Sequence, residues 1–278
     1  MKDRHWLNTI IKGDCLQVMP KLPPGSISCV LTDLPYGVTA NTQWDTVLPF
    51  GELWAQWERL LKPNGCVVLT SMGAFTIRLC ASKMSWFRYK WVWVKDQKVN
   101  CLNASRMPMR SHEDVCVFYR NTPTYNPQKM PSAAGRRPSK QPTKVSSYGL
   151  QTFGGPSVYG ETYPNDILYI ASAQSEGRVY HPTQKPLELG RYLVRTYTNP
   201  GDVVLDCTCG VGTFPLAAML EGRNFVGIEI GGYDAKLRDK LGYDNYHEVA
   251  VERIKASVIE LPRCVRLSLA QTGLLASQ

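Results

Sequence analysis

Short, unbroken apolar runs, each entered from a turn and alternating with helix-spaced stretches, limit what this sequence can fold into more than any other feature. Ser28-Cys29-Val30-Leu31-Thr32 is one run, and Cys66-Val67-Val68-Leu69-Thr70 follows the turn Lys62-Pro63-Asn64-Gly65. Val203-Val204-Leu205 follows Asn199-Pro200-Gly201-Asp202, and Phe225-Val226-Gly227-Ile228 follows Glu221-Gly222. A strand with one wet face alternates polar and apolar residues, whereas a strand covered on both faces reads as a continuous apolar run. Between the runs, Leu53–Leu61, Leu187–Tyr197 and Phe214–Leu220 carry apolar residues at helical spacing. The alternation predicts an α/β fold with a mostly parallel, doubly wound sheet.

One stretch breaks this rhythm. From Asn121 to Pro164 there are seven prolines, many Ser, Thr and Gly, and almost no apolar periodicity, which marks either a functional loop or a linker. The charge is concentrated around it. Between Arg78 and Leu150 there are 14 Lys and Arg against Asp96, Glu113 and Asp114, a local excess of +11 in a chain whose net charge is +9. Trp86, Phe87, Tyr89, Trp91 and Trp93 are interleaved with those cations, a pattern that suits a polyanion such as nucleic acid. Arg136, Arg137, Lys140 and Lys144 are the candidates for phosphate contact.

No apolar run approaches the roughly 20 residues that cross a bilayer, and the opening Met1-Lys2-Asp3-Arg4-His5-Trp6 leads into no apolar stretch, so a cytoplasmic protein is expected. The nine cysteines are scattered and odd in number, with no Cys-x-x-Cys; Cys207-x-Cys209 is poor zinc spacing, and reduced, mostly buried thiols without metal are expected.

Two segments carry chemistry. Val204–Thr213 runs from an apolar strand through Asp206-Cys207-Thr208-Cys209-Gly210-Val211-Gly212 into a helix beginning near Thr213. Its glycines permit a tight turn and close approach of a ligand, and its amides suit an anionic group. A plain strand-to-helix turn would look the same. The next strand ends at Glu229, 17 residues beyond Gly212, where an acid can accept hydrogen bonds from ribose hydroxyls. The pair fits a nucleoside-bearing cofactor, either a dinucleotide or S-adenosylmethionine; Pro215 stands where the dinucleotide fingerprint needs its third glycine.

The second segment is Thr32-Asp33-Leu34-Pro35-Tyr36-Gly37, directly at the carboxyl end of a run. The Asp33 carboxylate and the Leu34 carbonyl are acceptors for the two N–H bonds of an exocyclic amine. Pro35 stiffens the turn, and Tyr36 offers a face for a flipped-out base.

Asp33-Leu34-Pro35-Tyr36 resembles the Asp-Pro-Pro-Tyr motif of amino-group (N6-adenine and N4-cytosine) DNA methyltransferases. Asp206–Thr213 resembles their cofactor loop Asp-Pro-Phe-x-Gly-x-Gly-Thr, His181-Pro182-Thr183-Gln184-Lys185-Pro186 resembles their His-Pro-x-Gln-Lys-Pro segment, and Gly13-Asp14-Cys15 resembles their Gly-Asp near the cofactor adenine. The order of the motifs is that of the β class. The resemblance implies a Rossmann-like S-adenosylmethionine-dependent methyltransferase fold with an inserted DNA-recognition region. Its catalytic half is residues 1–95, its target-recognition insert 96–180, its cofactor half 181–260 and its tail 261–278. It implies double-stranded DNA as substrate and N6 of adenine as acceptor, because N4-cytosine members more often carry Ser where Asp33 stands.

By the same resemblance, Asp33, Leu34, Pro35 and Tyr36 are catalytic. Asp14, Cys15, Asp33, Thr183, Gln184, Lys185, Asp206, Cys207, Thr208, Gly210, Gly212, Thr213 and Glu229 hold S-adenosylmethionine, with Lys185 and the helix amides beyond Pro186 facing its methionine carboxylate. Two departures stand out: Leu34 replaces the first proline, and Cys207-Thr208 replace Pro-Phe. A restriction endonuclease partner and a homodimer are both open, as is an inactive DNA-binding relative. His112-Glu113 reads as a surface or turn pair, although the resemblance puts it in a segment lining the target-base pocket. No proline precedes a cysteine, so the covalent route to C5 of cytosine has no nucleophile in its usual setting.

Overall fold

The computed structural model describes residues 5–38, 45–131, 160–232 and 234–260. Its elements begin with β1 (Thr9–Lys12), α1 (Cys15–Val18), β2 (Ile27–Thr32), α2 (Phe50–Leu60), β3 (Leu61–Ser71) and α3 (Gly73–Ser82). Next come β4 (Phe87–Val99), β5 (Arg110–Phe118), β6 (Met130–Pro131), β7 (Glu161–Thr162), β8 (Ile167–Tyr169) and α4 (Ala173–Glu176). The chain continues through α5 (Leu187–Tyr197), β9 (Val203–Asp206), α6 (Thr213–Leu220), β10 (Asn224–Glu229), α7 (Ala235–Leu241) and α8 (Tyr246–Glu260).

Eight strands form one sheet in the order β1-β10-β9-β2-β3-β5-β4-β8. Neighbours are parallel except at β5, which runs antiparallel to β3 and to β4. Both faces are covered, which is why the strands read as unbroken apolar runs. Along β2, Val30 packs into the cluster holding Leu53, Trp57 and Leu60 of α2, whereas Cys29 and Leu31 face the cluster holding Leu193 of α5 and Phe214 of α6. The amphipathic stripe of α2 (Leu53, Trp54, Trp57, Leu60) and that of α5 (Leu189, Leu193, Val194, Tyr197) supply those covers.

β9 and β2 lie side by side, with Val30 opposite Leu205 across 175 residues of chain. From β9 the chain passes through α6 to β10 on one side; from β2 it passes through α2 to β3 on the other. The winding reverses between these two strands, so a crevice opens at their carboxyl ends, the place where doubly wound sheets bind ligands. Asp33 and the Cys207–Gly212 turn emerge there together.

Three elements lay outside the sequence expectation. β1 precedes the Ser28–Thr32 run and holds only Ile10 and Ile11 as apolar signal. β5 continues the apolar run Val115–Phe118 back to Arg110, and so places Glu113 inside the sheet rather than at a surface turn. α8 occupies a stretch whose end gave little periodic signal. The second compact unit, residues 127–165, pairs β6 with β7, and Lys129 lies 3.6 Å from Glu161. Arg136, Arg137, Lys140 and Lys144 lie outside the described residues. Eight described cysteines are free thiols, six of them buried, and no helix among the described residues is long and apolar enough to cross a membrane.

Candidate active site

A cavity of about 600 Å³ fills the crevice. Asp14 and Cys15 line it from the start of α1, Asp33 through Tyr36 from the turn after β2, and Thr183, Gln184 and Lys185 from the segment before α5. Asp206 to Gly210, Thr213 and Glu229 complete that side. Gly212 shapes the wall without lining it. Its φ of +74° is left-handed, and a Cβ there would stand 3.0 Å from the Ala250 Cβ of α8, so both backbone and space call for glycine.

Asp33 is held on both carboxylate oxygens. Oδ1 accepts from the Tyr36 hydroxyl at 2.7 Å and from the Thr70 hydroxyl at the end of β3. Oδ2 accepts from the Lys185 ammonium at 2.6 Å. A carboxylate offers about four lone-pair sites. Three are engaged, leaving a site on Oδ2 for an incoming N–H. The Tyr36 ring sits 4.8 Å from Phe75, and burial pushes its phenol well above the ordinary range, so it donates rather than ionises. Leu34 sends its side chain into the core, 3% exposed, so the missing proline is compatible with a role that rests on its backbone carbonyl.

Lys185 is 7% exposed, and its ammonium also lies 3.6 Å from Glu113 Oε2. Burial opposes its charge, but Asp33 and Glu113 outweigh burial and hold its pKa above the ordinary lysine value. Burial likewise opposes ionisation of Glu113; Lys185 and Lys95 prevail and keep that carboxyl below the usual range. The result is a chain of alternating charge, Asp33–Lys185–Glu113–Lys95, buried at its two middle members. No local pattern around Glu113 points to this role. Its signal was the Val115–Phe118 apolar run, which extends back as a strand and turns Glu113 inward.

The Lys185 ammonium therefore faces Asp33. The first helical amides beyond Pro186 are also occupied: Leu187 and Glu188 donate to the Glu176 carboxylate at 2.6 and 2.9 Å. Burial pushes the His181 imidazole down to about 4, and its Nδ1 accepts from the Thr183 amide at 3.2 Å. Gln184 Oε1 accepts from the Tyr180 amide at 3.0 Å, folding the segment on itself.

The glycine turn is also internally bonded. The Cys209 amide donates to the Ile228 carbonyl at 2.9 Å, the Gly212 amide to the Cys209 carbonyl at 2.7 Å, and the Gly210 amide to Glu229 Oε2 at 2.9 Å. These amides are engaged within the protein, the Gly210 amide by the Glu229 carboxylate, rather than left for an anionic ligand. Glu229 Oε1 takes the Gly231 amide at 3.2 Å, which leaves each oxygen spare acceptor capacity toward the cavity. Burial raises its carboxyl pKa, and the two glycine amides work against that rise.

Thr32 donates to Asp206 Oδ1 at 2.6 Å, and Thr208 donates to the Asp33 carbonyl at 3.0 Å. Thr208, one of the two departures from the usual loop, thus ties the cofactor turn to the catalytic turn. Cys207, the other, is buried in the core. Asp45 accepts from the Gly37 and Val38 amides at 2.9 and 2.8 Å, closing the far side of the catalytic turn.

The N6_N4_Mtase (DNA methylase) family model matches residues 27–240. Type II methyltransferase M.HinfI of Haemophilus influenzae is 27% identical over 252 residues, an alignment spanning 81% of this chain and 65% of that protein. DNA adenine methyltransferase YhdJ of Escherichia coli (strain K12) is 25% identical, over 82% of this chain and 80% of its own. The crystal structure of the M1.HpyAVI–SAM complex superposes with a TM-score of 0.57 at 21% identity, over 88% of this chain and 98% of that one. PvuII DNA methyltransferase (cytosine-N4-specific) does so at 0.55 and 17%, over 89% and 93%.

Proposed function

Since the chain belongs to the DNA methylase family of amino-group methyltransferases, we propose that it transfers a methyl group from S-adenosylmethionine to N6 of a flipped-out adenine in double-stranded DNA. The observation that carries the reading is the triply held Asp33, opening onto the same cavity as Glu229. At about 600 Å³ the cavity has the size of a ligand pocket. Glu229 has acceptor capacity for ribose hydroxyls, Asp206 presents a buried carboxyl suited to a cationic ligand, and Asp14, Cys15, Thr183, Gln184, Thr208, Gly210 and Thr213 complete the wall. S-adenosylmethionine, when bound, supplies an electrophilic methyl group.

Asp33 and the Leu34 carbonyl accept the two N–H bonds of the amine and so aim the nitrogen lone pair. As nitrogen gains its bond to carbon it must shed a proton, and the free site on Asp33 Oδ2 is placed to take it. Tyr36, Thr70 and Lys185 hold the carboxylate still while this happens, and positioning of this kind supplies much of the rate in a direct displacement. Asp33, where N4-cytosine enzymes more often carry Ser, favours adenine, as does the adenine specificity named in the relative YhdJ. The basic region, with Arg136, Arg137, Lys140 and Lys144, is assigned to phosphate contact. A restriction endonuclease partner and a homodimer both fit this reading.

The test is transfer of a tritiated methyl group to unmethylated plasmid DNA. Wild type should label DNA, and Asp33→Ala should lose at least about a hundredfold in rate while binding S-adenosylmethionine nearly as well. Near wild-type turnover by the variant would remove Asp33 from the chemistry.

A further inference from the structure

β4 and β5 pair as far as Val99 opposite Arg110, leaving residues 100–109 as a projecting tip. The tip is organised by its own bonds. The Asn103 amide donates to the Asn100 carbonyl at 3.1 Å, the Arg106 and Met107 amides to the Asn103 carbonyl at 2.9 and 3.0 Å, and Asn103 Nδ2 to Asn100 Oδ1 at 2.7 Å. Asn100 adopts a left-handed φ of +72° to start it. This ordered turn holds apolar side chains in solvent. Leu102 is 95% exposed, and Val99, Met107 and Met109 are exposed around it. Lys98, Arg106 and Arg110 enter no ion pair among the described residues. An apolar point ringed by unpaired cations fits a partner that is anionic outside and apolar between its layers, as stacked base pairs are.

The tip stands at the mouth of the active site. Trp93, Lys95, Gln97 and Val99, every second residue of β4, line the cavity, and Arg110 joins them from β5. The four residue steps from Lys95 to Val99 rise about 13 Å. That wall therefore climbs from the Lys95–Glu113 pair to the base of the tip. A duplex delivering a base to Asp33 across this wall meets the tip.

We propose that the β4–β5 tip is a DNA wedge: Leu102 enters the gap that the extruded base leaves in the stack, and Lys98, Arg106 and Arg110 hold the flanking phosphates. The proposal rests on the DNA methyltransferase reading and adds the surface that opens the duplex.

The experiment uses the full chain and short duplexes carrying its own target site, read beforehand by sequencing plasmid DNA that the wild type has methylated. Leu102→Ala and Leu102→Met are assayed on the normal duplex and on one with an abasic site opposite the target base. Because Leu102 is 95% exposed, both variants should melt like wild type. On the normal duplex Leu102→Ala should lose on the order of 10- to 100-fold in kcat/KM, and Leu102→Met should recover most of it. On the abasic duplex, where the target base is already unpaired, the loss should shrink to within about threefold. Lys98→Ala with Arg106→Ala should flatten the salt dependence of DNA affinity.

Unchanged kcat/KM for Leu102→Ala on the normal duplex overturns the wedge. So does an equal loss on both duplexes. A Leu102→Ala variant that sediments as a smaller species than wild type would instead make the tip a contact between copies. A wild type that methylates no DNA at all, while binding S-adenosylmethionine, would defeat the methyltransferase reading and the wedge with it.

Discussion

Asp206 ends β9 with 2% of its surface exposed, and burial pushes its carboxyl up to about 8 against the bonds it accepts from Thr32 and the Thr208 amide. In the unfolded chain the same group titrates near 3.8. Between those values the native state keeps a proton that the unfolded state has shed, so stability falls as pH rises, by about 1.4 kcal/mol per pH unit. The window from pH 6.5 to 8 separates this carboxyl from His181. Burial holds that imidazole at about 4, so its contribution changes only below its ordinary 6.5.

Across the window the protein without cofactor should lose about 2 kcal/mol from Asp206, or roughly 4–8 °C in Tm for a chain of this size. Asp206→Asn keeps the shape and removes the titration. Differential scanning calorimetry at half-unit steps should show the variant gaining on wild type by that amount as pH climbs. The comparison cancels Glu229, whose carboxyl burial also raises. The same variant should bind S-adenosylmethionine more weakly, since the cofactor's positive charges favour an ionised Asp206. Parallel Tm–pH lines for the two proteins would refute a buried, proton-holding Asp206.

Lys185→Met should cost about 3–5 kcal/mol, because it strips Asp33 and Glu113 of the ammonium they share; thermal melting measures the loss, and methyl transfer should fall with it. Glu229→Ala should raise the S-adenosylmethionine Kd by roughly 10- to 100-fold with little change in DNA affinity, and calorimetry showing an unchanged Kd would take Glu229 out of the site. Gly212→Ala combines a φ of +74° with a Cβ 3.0 Å from Ala250, and should lower stability by about 1–3 kcal/mol, seen as a reduced urea midpoint.

The central strands were legible because they are covered on both faces. Burial of β2 and β9 made each an apolar run, and α5 occupies Leu187–Tyr197 as its spacing predicts. The motif residues were legible because a turn at a strand's carboxyl end admits few alternatives to Asp, Pro and Gly. What stayed hidden depends on contacts between distant segments. Lys185 reads locally as a lysine before a helix, and only the pairing of β5 beside β3 brings Glu113 to it and turns both toward Asp33. Local pattern alone predicts anion-binding amides near Gly210 and beyond Pro186, but acids from elsewhere, Glu229 and Glu176, occupy them. Thr208 replaces a packing Phe with a hydroxyl whose acceptor lies 175 residues away.

The identity of the methylated atom decides what Asp33 does. Unmethylated DNA incubated with the protein and deuterium-labelled S-adenosylmethionine, digested to nucleosides and resolved by mass spectrometry, reports that atom directly. Labelled N6-methyladenine is expected, and it should be lost with Asp33→Ala. Labelled N4-methylcytosine in its place would contradict the adenine assignment, and no labelled nucleoside from a protein that binds the cofactor would contradict the enzyme.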